Sequence, residues 1–286
     1  MLETFYSSLV LPVSQQTLQL KQMPSSAFMQ LQKYLIEDNN ELIAEYFEYI
    51  IHACCKDECN IQTLTCIDKL ACLLKIRSIS CGDSVIFTNA NQMQGVISMN
   101  YVLQKLYNID FNISREIQVD KHISIEVDIP HTLSKGSIHE VFQHLIKCIN
   151  TVDAKIYSHQ ITKQQLAECM RYLNATATTH MSKFLSDNQK LEIIAFEGNE
   201  SLELKDITLN PFNDSIIEFC KFIFKGDLLN EYKSIYTICS KAHISPEYLL
   251  GIAPVEQQLY LRFLLDETEQ NNKQLNEANK HLNTQQ

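Results

Sequence analysis

The chain has 286 residues, with 24 basic and 34 acidic side chains, a net charge of −10 and 10 cysteines. A nucleic-acid binder normally presents a basic surface, because phosphate contacts supply most of its affinity, so this acidic chain with no Lys/Arg cluster argues against nucleic-acid and anionic-membrane partners. Only 6 Gly and 6 Pro predict few tight turns and many helices, and no Gly-rich phosphate-binding loop is present.

The cysteines and the apolar runs predict a protein made in a reducing cytoplasm. Most cysteines lie in apolar helical patterns, where a free thiol behaves as a small hydrophobic side chain. The N-terminal segment lacks the basic residues that open a secretory signal. No apolar run approaches the roughly 18 residues that a transmembrane helix needs. We therefore expect neither a signal nor a membrane span.

Residues 7–82 predict two short strands and then three helices. The strands, 7–11 and 17–21, flank a turn that contains Leu-Pro-Val-Ser. Apolar residues then recur at helical spacing. Gly82 closes this region. The helices are predicted at 24–37, after a cap at Asn39 or Asn40, and from a cap at Thr63 to Arg77.

From residue 84 to residue 130 the pattern favours strands. Residues 121–129 alternate apolar and polar side chains, which is typical of a half-buried strand, and Pro130 stops it. The other elements predicted here are strands at 84–88 and 112–118 and a short helix at 98–107 capped by Ser98.

The next region predicts helices and a hairpin. Ser137 and Glu140 have the spacing of a capping box, which predicts a helix that continues through Ile146 and Ile149. Further along, the pattern predicts a helix at 163–173 and two paired strands at 190–196 and 201–207.

From Asn213 onward the chain is predicted to be helical. The last helix begins at Pro254 and is amphipathic to about Leu265. Beyond that point the sequence is polar, with leucines at a loose heptad spacing, so it is either a solvated tail that frays or a helix that docks on a partner. The earlier helices are predicted at 213–224, at 227–242 and from Ser245.

Together these elements predict an α+β protein, with a mixed N-terminal domain of short strands and three helices followed by a mostly helical C-terminal region. The predicted boundaries are 1–135 for the mixed domain, 136–211 for an intermediate helix and hairpin region, and 212–286 for the helical region with its polar tail.

One cluster has the residue types of a metal or nucleophile site, His52, Cys54, Cys55 and Cys59. Zinc accepts these ligands, but the Cys-x-x-Cys spacing of a zinc knuckle is missing. A cysteine nucleophile would need a base and an electropositive setting. Reduced cysteines at the edge of the core are the simpler interpretation. With no catalytic motif in the chain, we predict no catalytic residue, no cofactor and no metal.

Three stretches, taken in order, resemble a known family. They are LVLPVSQQTLQLKQMPSSAFMQLQKYL at 9–35, DKLACLLKIRSISCGDSV at 68–85 and ISIEVDIPHTL at 123–133. They resemble the baseplate hub family of T4-type contractile-tail phages, which comprises hub subunits and hub assembly proteins. In that family a strand pair with an LP-S-G turn precedes a helix, and Gln15 stands here at the position of the turn glycine. The positions that fall on the family's later marks are Asp68, Arg77, Ser80, Gly82 and Pro130.

The stretch 212–267 is similar to the closing helices of the same family, which include a Pro-x-Glu helix start matched by Pro254 and Glu256. The resemblance covers roughly 1–133 and 212–270, and 134–211 then reads as an expansion beyond shorter members.

The resemblance implies a non-enzymatic structural or assembly component of the baseplate hub that binds other tail and hub proteins. It implies possible self-association, no small-molecule substrate, and a place in the virion tail baseplate or in the host cytoplasm during assembly. Two alternatives stay open: a zinc- or cysteine-dependent enzyme built on the His52–Cys59 cluster, and a bacterial helical adaptor. The candidate structural or interface residues are Leu11, Pro12, Asp68, Arg77, Ser80, Gly82, Pro130, Pro254, Glu256 and Phe263.

Physical roles for some of these residues follow from their positions. Arg77 at a helix end can fork onto a carboxylate such as Asp68 or Asp83. Gly82 can adopt a positive φ where the helix turns into a strand. The segment at Leu11 and the strand that ends at Pro130 offer sheet edges that a partner chain could extend.

Overall fold

The computed structural model is an α+β protein, with short strands and helices in its N-terminal part and a helical C-terminal region, which confirms the predicted fold class. It describes residues 5–88, 94–109, 111, 116–118, 121–133, 146–157, 191–193 and 207–283, and the single positions 160, 162, 164 and 179.

The N-terminal elements follow the predicted order, with one strand, β4, that was not predicted between the strand at 84–88 and the helix at 98–107. β1 and β2 pair as an antiparallel hairpin, and so do β3 and β4. Their bounds are β1 (Ser7–Val10), β2 (Thr17–Leu20), α1 (Ser25–Glu37), α2 (Asn40–Cys54), α3 (Cys66–Cys81), β3 (Ser84–Thr88), β4 (Gln94–Ser98) and α4 (Met99–Tyr107).

Side-chain caps fix where several of these helices begin. Asn39 accepts the N–H groups of Glu41 and Leu42 and so caps α2. The Oγ of Ser98 accepts the N–H of Tyr101 and caps α4, as predicted. Such caps satisfy N–H groups that have no partner within the helix.

The predicted start of the third helix at Thr63 is wrong. Thr63 ends a single 3₁₀ turn and donates its hydroxyl to the carbonyl of Asn60. Thr65 caps α3 instead, since its Oγ1 accepts the N–H of Asp68 at 3.1 Å. At its other end α3 continues one turn beyond Arg77, and Gly82 follows it with φ 94°.

A four-stranded antiparallel sheet follows, in the order β5-β6-β7-β8. β7 overturns the last part of the helix predicted from Ser137 and Glu140, which themselves lie outside the described residues. Buried Ile146 and Cys148 alternate there with exposed Lys147, and strands on both sides complete the backbone pairing. The bounds are β5 (Glu116–Gln118), β6 (Ser124–Val127), β7 (Ile146–Asn150) and β8 (Lys155–Tyr157).

The sheet pairs strands from both sides of residue 135, and the domain boundary placed there stays a prediction. Further along, β9 (Leu191–Ile193) and β10 (Ile207–Leu209) pair antiparallel. β9 lies within the predicted strand 190–196, whereas β10 overlaps the predicted strand 201–207 only at Ile207. The turn of the predicted hairpin lies outside the described residues, as does nearly all of the helix predicted at 163–173.

The C-terminal region is helical, as predicted. Asp227 and Ser245 cap the second and third of its helices through their side-chain oxygens. The helices are α5 (Ser215–Phe224), α6 (Leu228–Ala242), α7 (Pro246–Gly251) and α8 (Pro254–Asn283).

Helix α3 lies at the centre of the main hydrophobic core. Of its 16 residues 11 are buried, on all sides of the helix rather than along one stripe. It packs against α2, α4, α5, α8 and β2. A second, smaller cluster joins α1 to the C-terminal helices through Met29, Ile235, Ile238 and Leu249. The residues that carry the family resemblance therefore surround a buried helix.

Candidate functional site

Asp68 fixes the Leu-Pro-Val-Ser turn between β1 and β2. Its carboxylate is fully buried and accepts the backbone N–H groups of Val13 at 2.9 Å and Ser14 at 3.3 Å. The spacing of Thr65 and Asp68 resembles a capping box, but here the acidic side chain reaches out of its helix to another segment. Hydrogen bonds to a charged acceptor are stronger than neutral ones, so this contact holds the turn firmly against α3.

The turn itself explains the departure from the family's glycine. Gln15 has φ 57°, a left-handed conformation that favours glycine. Its Nε2 donates to the carbonyl of Pro12 at 2.7 Å, and its N–H donates to the carbonyl of Leu11 at 3.1 Å. The side-chain amide thus supports locally a backbone shape that glycine would adopt without strain.

The C-terminal end of α3 holds the segment that follows β2. The Oγ of Ser80 is fully buried and accepts the N–H of Met23 at 2.8 Å. Next to it, the Nε2 of Gln22 donates to the carbonyl of Ile79 at 2.9 Å. The chain between β2 and α1 is therefore tied to α3.

Arg77 does not fork onto a carboxylate, so that prediction is wrong. Its Nε donates to the carbonyl of Ile223 at 2.8 Å and its Nη1 to the carbonyl of Gly82 at 2.7 Å. The reason is position: the side chain reaches the C-terminal ends of α3 and α5, where helix carbonyls lack partners. Burial lowers the pKa of Arg77 from its ordinary value. Asp68 lies at the other end of α3.

Pro130 anchors the start of α3, because its carbonyl accepts the N–H of Cys66 at 2.7 Å. The strand that precedes it does not offer a free edge, which corrects the prediction. β6 has β5 on one side and β7 on the other. Among the described strands, the edges of this sheet that a partner chain could extend are β5 and β8.

The sequence analysis missed the role of Asp83. Its carboxylate accepts hydrogen bonds from the hydroxyl of Ser78 at 3.1 Å, the hydroxyl of Ser98 at 2.5 Å and the N–H of Asn100 at 3.0 Å. Its carbonyl accepts the N–H of Met99. Asp83 thus joins the ends of α3 and α4 across a β-hairpin. The only local signal is an acidic residue next to the helix-ending glycine.

Among the described residues, the outer edge of β1 is paired with no strand, and Tyr107 contacts it at Val10. Leu9 and Leu11 are buried and anchor the strand, whereas Val10 is 43% exposed. Its carbonyl points outward and accepts the hydroxyl of Tyr107 at 2.5 Å. Groups that point outward recur every second residue along an antiparallel strand, so the N–H and C=O of Ser8 face the same way.

The opposite edge of the hairpin is covered from within the fold. The N–H of Lys21 donates to the carbonyl of Cys54 at 2.9 Å, and the N–H of Lys56 donates to the carbonyl of Gln19 at 2.9 Å. The loop after α2 therefore closes the β2 side. A partner strand that joins this hairpin would add to β1.

The three C-terminal candidates have different settings. Pro254 is buried at the first position of α8, and Glu256 is half-buried in its first turn. Phe263 is 63% exposed, and Leu259 one turn before it is 48% exposed. Only Phe263 of the three presents a large apolar surface to solvent.

The ten candidates fall into two groups. Whether either group forms an interface stays a prediction. The structure gathers the first group around α3 and places the second on α8. The first group is Leu11, Pro12, Asp68, Arg77, Ser80, Gly82 and Pro130; the second is Pro254, Glu256 and Phe263.

The His52–Cys59 cluster does not provide an activated thiol. His52 is exposed while Cys54 is buried, so the two side chains face different surroundings. Burial raises the pKa of Cys54 and of Cys55 to about 12, and the neighbouring thiol of Cys59 adds to the rise at Cys55. Both thiols are therefore protonated near neutral pH. Within the part of the chain that the structure describes, no group of three or more His, Cys, Asp or Glu side chains could hold a metal ion.

Among the described helices, none combines the length and the apolar character that crossing a membrane requires.

Comparison with known proteins identifies the family. A family model described as T4 bacteriophage base plate protein matches residues 4–214, about three quarters of the chain. The match includes 134–211, which the sequence analysis interpreted as an expansion, and it ends before α5. No curated protein and no solved structure matches the chain. With a match of this extent, and with the resembling residues gathered around α3, the chain belongs to the T4 bacteriophage base plate protein family.

Proposed function

We propose that this protein is a non-enzymatic structural or assembly component of the baseplate hub of a contractile phage tail, where it binds other tail proteins. Membership of the base plate family supports the setting. The observation that carries the proposal is the pair of hydrogen bonds at Asp68. Its two carboxylate oxygens each accept a backbone N–H group of the turn between β1 and β2. A buried carboxylate of this kind serves to shape a surface.

The surface that Asp68 shapes is the open edge of β1. Because the turn is fixed on α3 and Leu9 is buried beneath the strand, β1 is held rigidly. Ser8 is exposed and its N–H and C=O face away from β2, while the outer carbonyl of Val10 accepts the hydroxyl of Tyr107. A rigid exposed edge is a template for an added strand, and backbone hydrogen bonds then supply affinity. We assign this edge to a strand of another tail protein.

A second contact is assigned to the C-terminal helices. Phe263 and Leu259 lie one turn apart on α8 and expose apolar surface on the same side. Large exposed aromatic side chains are common anchors of protein interfaces. Two contacts far apart in the sequence suit a protein that holds other subunits in register, in the tail or in the host cytoplasm during assembly.

The test replaces Ser8 with proline in a phage that lacks this gene and receives the variant in trans. Proline removes one outward N–H of β1 and leaves the pairing of β1 with β2 intact, because that N–H faces away from β2. Ser8→Ala is the control. It removes the same hydroxyl, which accepts the Nε2 of Gln19 at 2.7 Å, and keeps the N–H.

Quantitative mass spectrometry of purified tails and of the lysate gives the readout. We expect Ser8→Pro to lower the number of finished tails and Ser8→Ala to leave it unchanged, with both variants equally stable in thermal unfolding. A normal tail yield with Ser8→Pro would overturn the assignment of the β1 edge. A fixed copy number of the wild-type protein in tails would identify a permanent subunit, and presence in the lysate alone a transient assembly factor.

A further inference from the structure

Helix α8 extends well beyond the body of the protein. Its 30 residues correspond to about 45 Å at the usual rise per residue. Leu261 and Leu264 pack against the second hydrophobic cluster. From Leu265 to Leu275 every residue is exposed. The helix therefore leaves the body near residue 265 and continues to Asn283.

An exposed stretch of helix is only marginally stable in water, because most helical stability in proteins comes from packing of an apolar face. The projecting part of α8, residues 265–283, therefore calls for a partner surface. Leu275, a large apolar side chain within it, is 61% exposed.

The sequence of this part has the spacing of a two-stranded coiled coil. Positions alternate by four and three, as in a heptad pattern that faces a second helix. The hydroxyl of Thr268 donates to the carbonyl of Leu264 at 2.7 Å, so this polar side chain needs no further partner in such a seam. The seam positions are Thr268, Asn271, Leu275, Ala278 and Leu282.

The charges favour an identical partner. In the heptad register all but one of the charged residues of 265–283 take the outer positions, and only Glu267 borders the seam. Two copies can therefore pair without repulsion between like charges. A partner recognised by its charge would instead require charged residues at the positions that border the seam. The outer charged residues are Asp266, Glu269, Lys273, Glu277 and Lys280.

Asn271 determines the direction of the pairing. A polar Asn within an apolar seam costs stability unless it meets a partner that satisfies its amide, and it then specifies register. In a parallel arrangement in register, Asn271 faces Asn271 of the second copy. In an antiparallel arrangement it would face Thr268, Leu275 or Leu282 instead of a second amide.

We propose that residues 265–283 of α8 pair in parallel and in register with the same segment of a second copy of this chain. The pairing does not depend on the role proposed for the β1 edge. Sedimentation velocity of the full-length protein over a wide concentration range tests it, and a dimer should accumulate as concentration rises. A wild-type protein that stays monomeric throughout would overturn the pairing and leave the Ser8→Pro test unaffected.

Leu275→Asp should raise the dissociation constant of the dimer by about tenfold or more, because it places a charge in the seam. Leu229→Asp is the matched control, since Leu229 on α6 is 62% exposed, almost the same fraction as Leu275. Equal dissociation constants for the two variants, or a weaker dimer only with Leu229→Asp, would overturn the assignment to α8.

Opposite charges placed at Asn271 test the register. They also distinguish a loss of pairing from an unfolding of the helical segment. Asn271→Lys and Asn271→Glu should each be monomeric alone, because like charges meet in the seam. An equimolar mixture should recover the dimer, because the opposite charges then face each other. A dimer in the mixture would show that both variant helices can still form and pair. A mixture that stays monomeric, or single variants that dimerise like the wild type, would overturn the parallel register.

Discussion

Gly82 is the position whose backbone conformation most clearly requires glycine. It has φ 94° and ψ 159°, a region that is open almost only to glycine. It ends α3, and its carbonyl receives the Nη1 of Arg77. The glycine of the family pattern at this position thus has a conformational cause. The same holds at Gln15, whose backbone adopts the left-handed conformation at the position of the family's turn glycine.

Gly82→Ala should destabilise the protein by about 1–3 kcal/mol, because alanine is strained at this φ and ψ. The cost is conformational, since a Cβ at Gly82 would meet no atom within 4 Å. Urea unfolding measures the change. Gly251→Ala is the matched control: its Cβ also meets no atom within 4 Å, it ends helix α7, and alanine there should add about 0.5–1 kcal/mol. Equal effects of the two substitutions would contradict the argument from φ.

The sequence named Asp68 and Ser80 as candidate residues, but it could not give the groups that they bind. Asp68 and Ser80 fall on family marks, yet the groups they bind lie about 55 residues away. Nothing in local spacing reports a contact of that separation. Arg77 illustrates the error: the sequence predicted a carboxylate partner, whereas the fold brings the carbonyl of Ile223 in α5 and the carbonyl of Gly82 after α3 within reach.

At the scale of elements, local signals predicted the helices where a cap and an apolar stripe agree. The caps at Asn39, Ser98 and Ser245 are such cases. Local signals failed where tertiary pairing decides the structure. The stretch 146–150 reads as the end of an amphipathic helix, but strands on both sides supply its backbone partners, and it folds as β7. A short apolar run does not distinguish these outcomes.

The packing of α2 against α3 includes an ion pair that is nearly buried. The Nζ of Lys69 lies 2.6 Å from the Oε1 of Glu48, with side-chain exposures of 1% and 21%. Glu48→Ala should cost about 3 kcal/mol, because it leaves the ammonium of Lys69 buried without a counter-charge. Glu45→Ala, on the exposed face of the same helix, should change stability by less than about 0.5 kcal/mol.

Adding Lys69→Met to Glu48→Ala should recover most of the loss, because the double variant no longer contains an unpaired buried charge. Urea unfolding of the four proteins gives the comparison. If the double variant is no more stable than Glu48→Ala alone, the loss comes from packing of the Glu48 side chain and not from the charge of Lys69.

At the scale of the whole molecule, the two hydrophobic clusters group the elements differently from the boundaries predicted from the sequence. The main cluster contains α5 together with the N-terminal elements, while α6, α7 and the start of α8 form the second cluster with Met29 of α1. Both the N–H and the hydroxyl of Ser25 donate to the carbonyl of Ile252 at 2.8 Å. The C-terminal helices are therefore fastened to the first helix of the chain.

This arrangement separates the structural half of α8 from its projecting half. A chain that ends at Ala253 loses Leu261 and Leu264, and each partly buried leucine contributes about 1–2 kcal/mol to the second cluster. A chain that ends at Leu265 keeps both. In dilute solution, where pairing of copies does not contribute, the shorter chain should melt at a lower temperature in calorimetry and the longer one at the temperature of the full protein. The main cluster around α3 should stay folded in both, since it contains no residue of α8.

Equal melting temperatures for the two truncated chains would mean that the start of α8 adds no stability to the body, and the division of α8 at residue 265 would then be wrong.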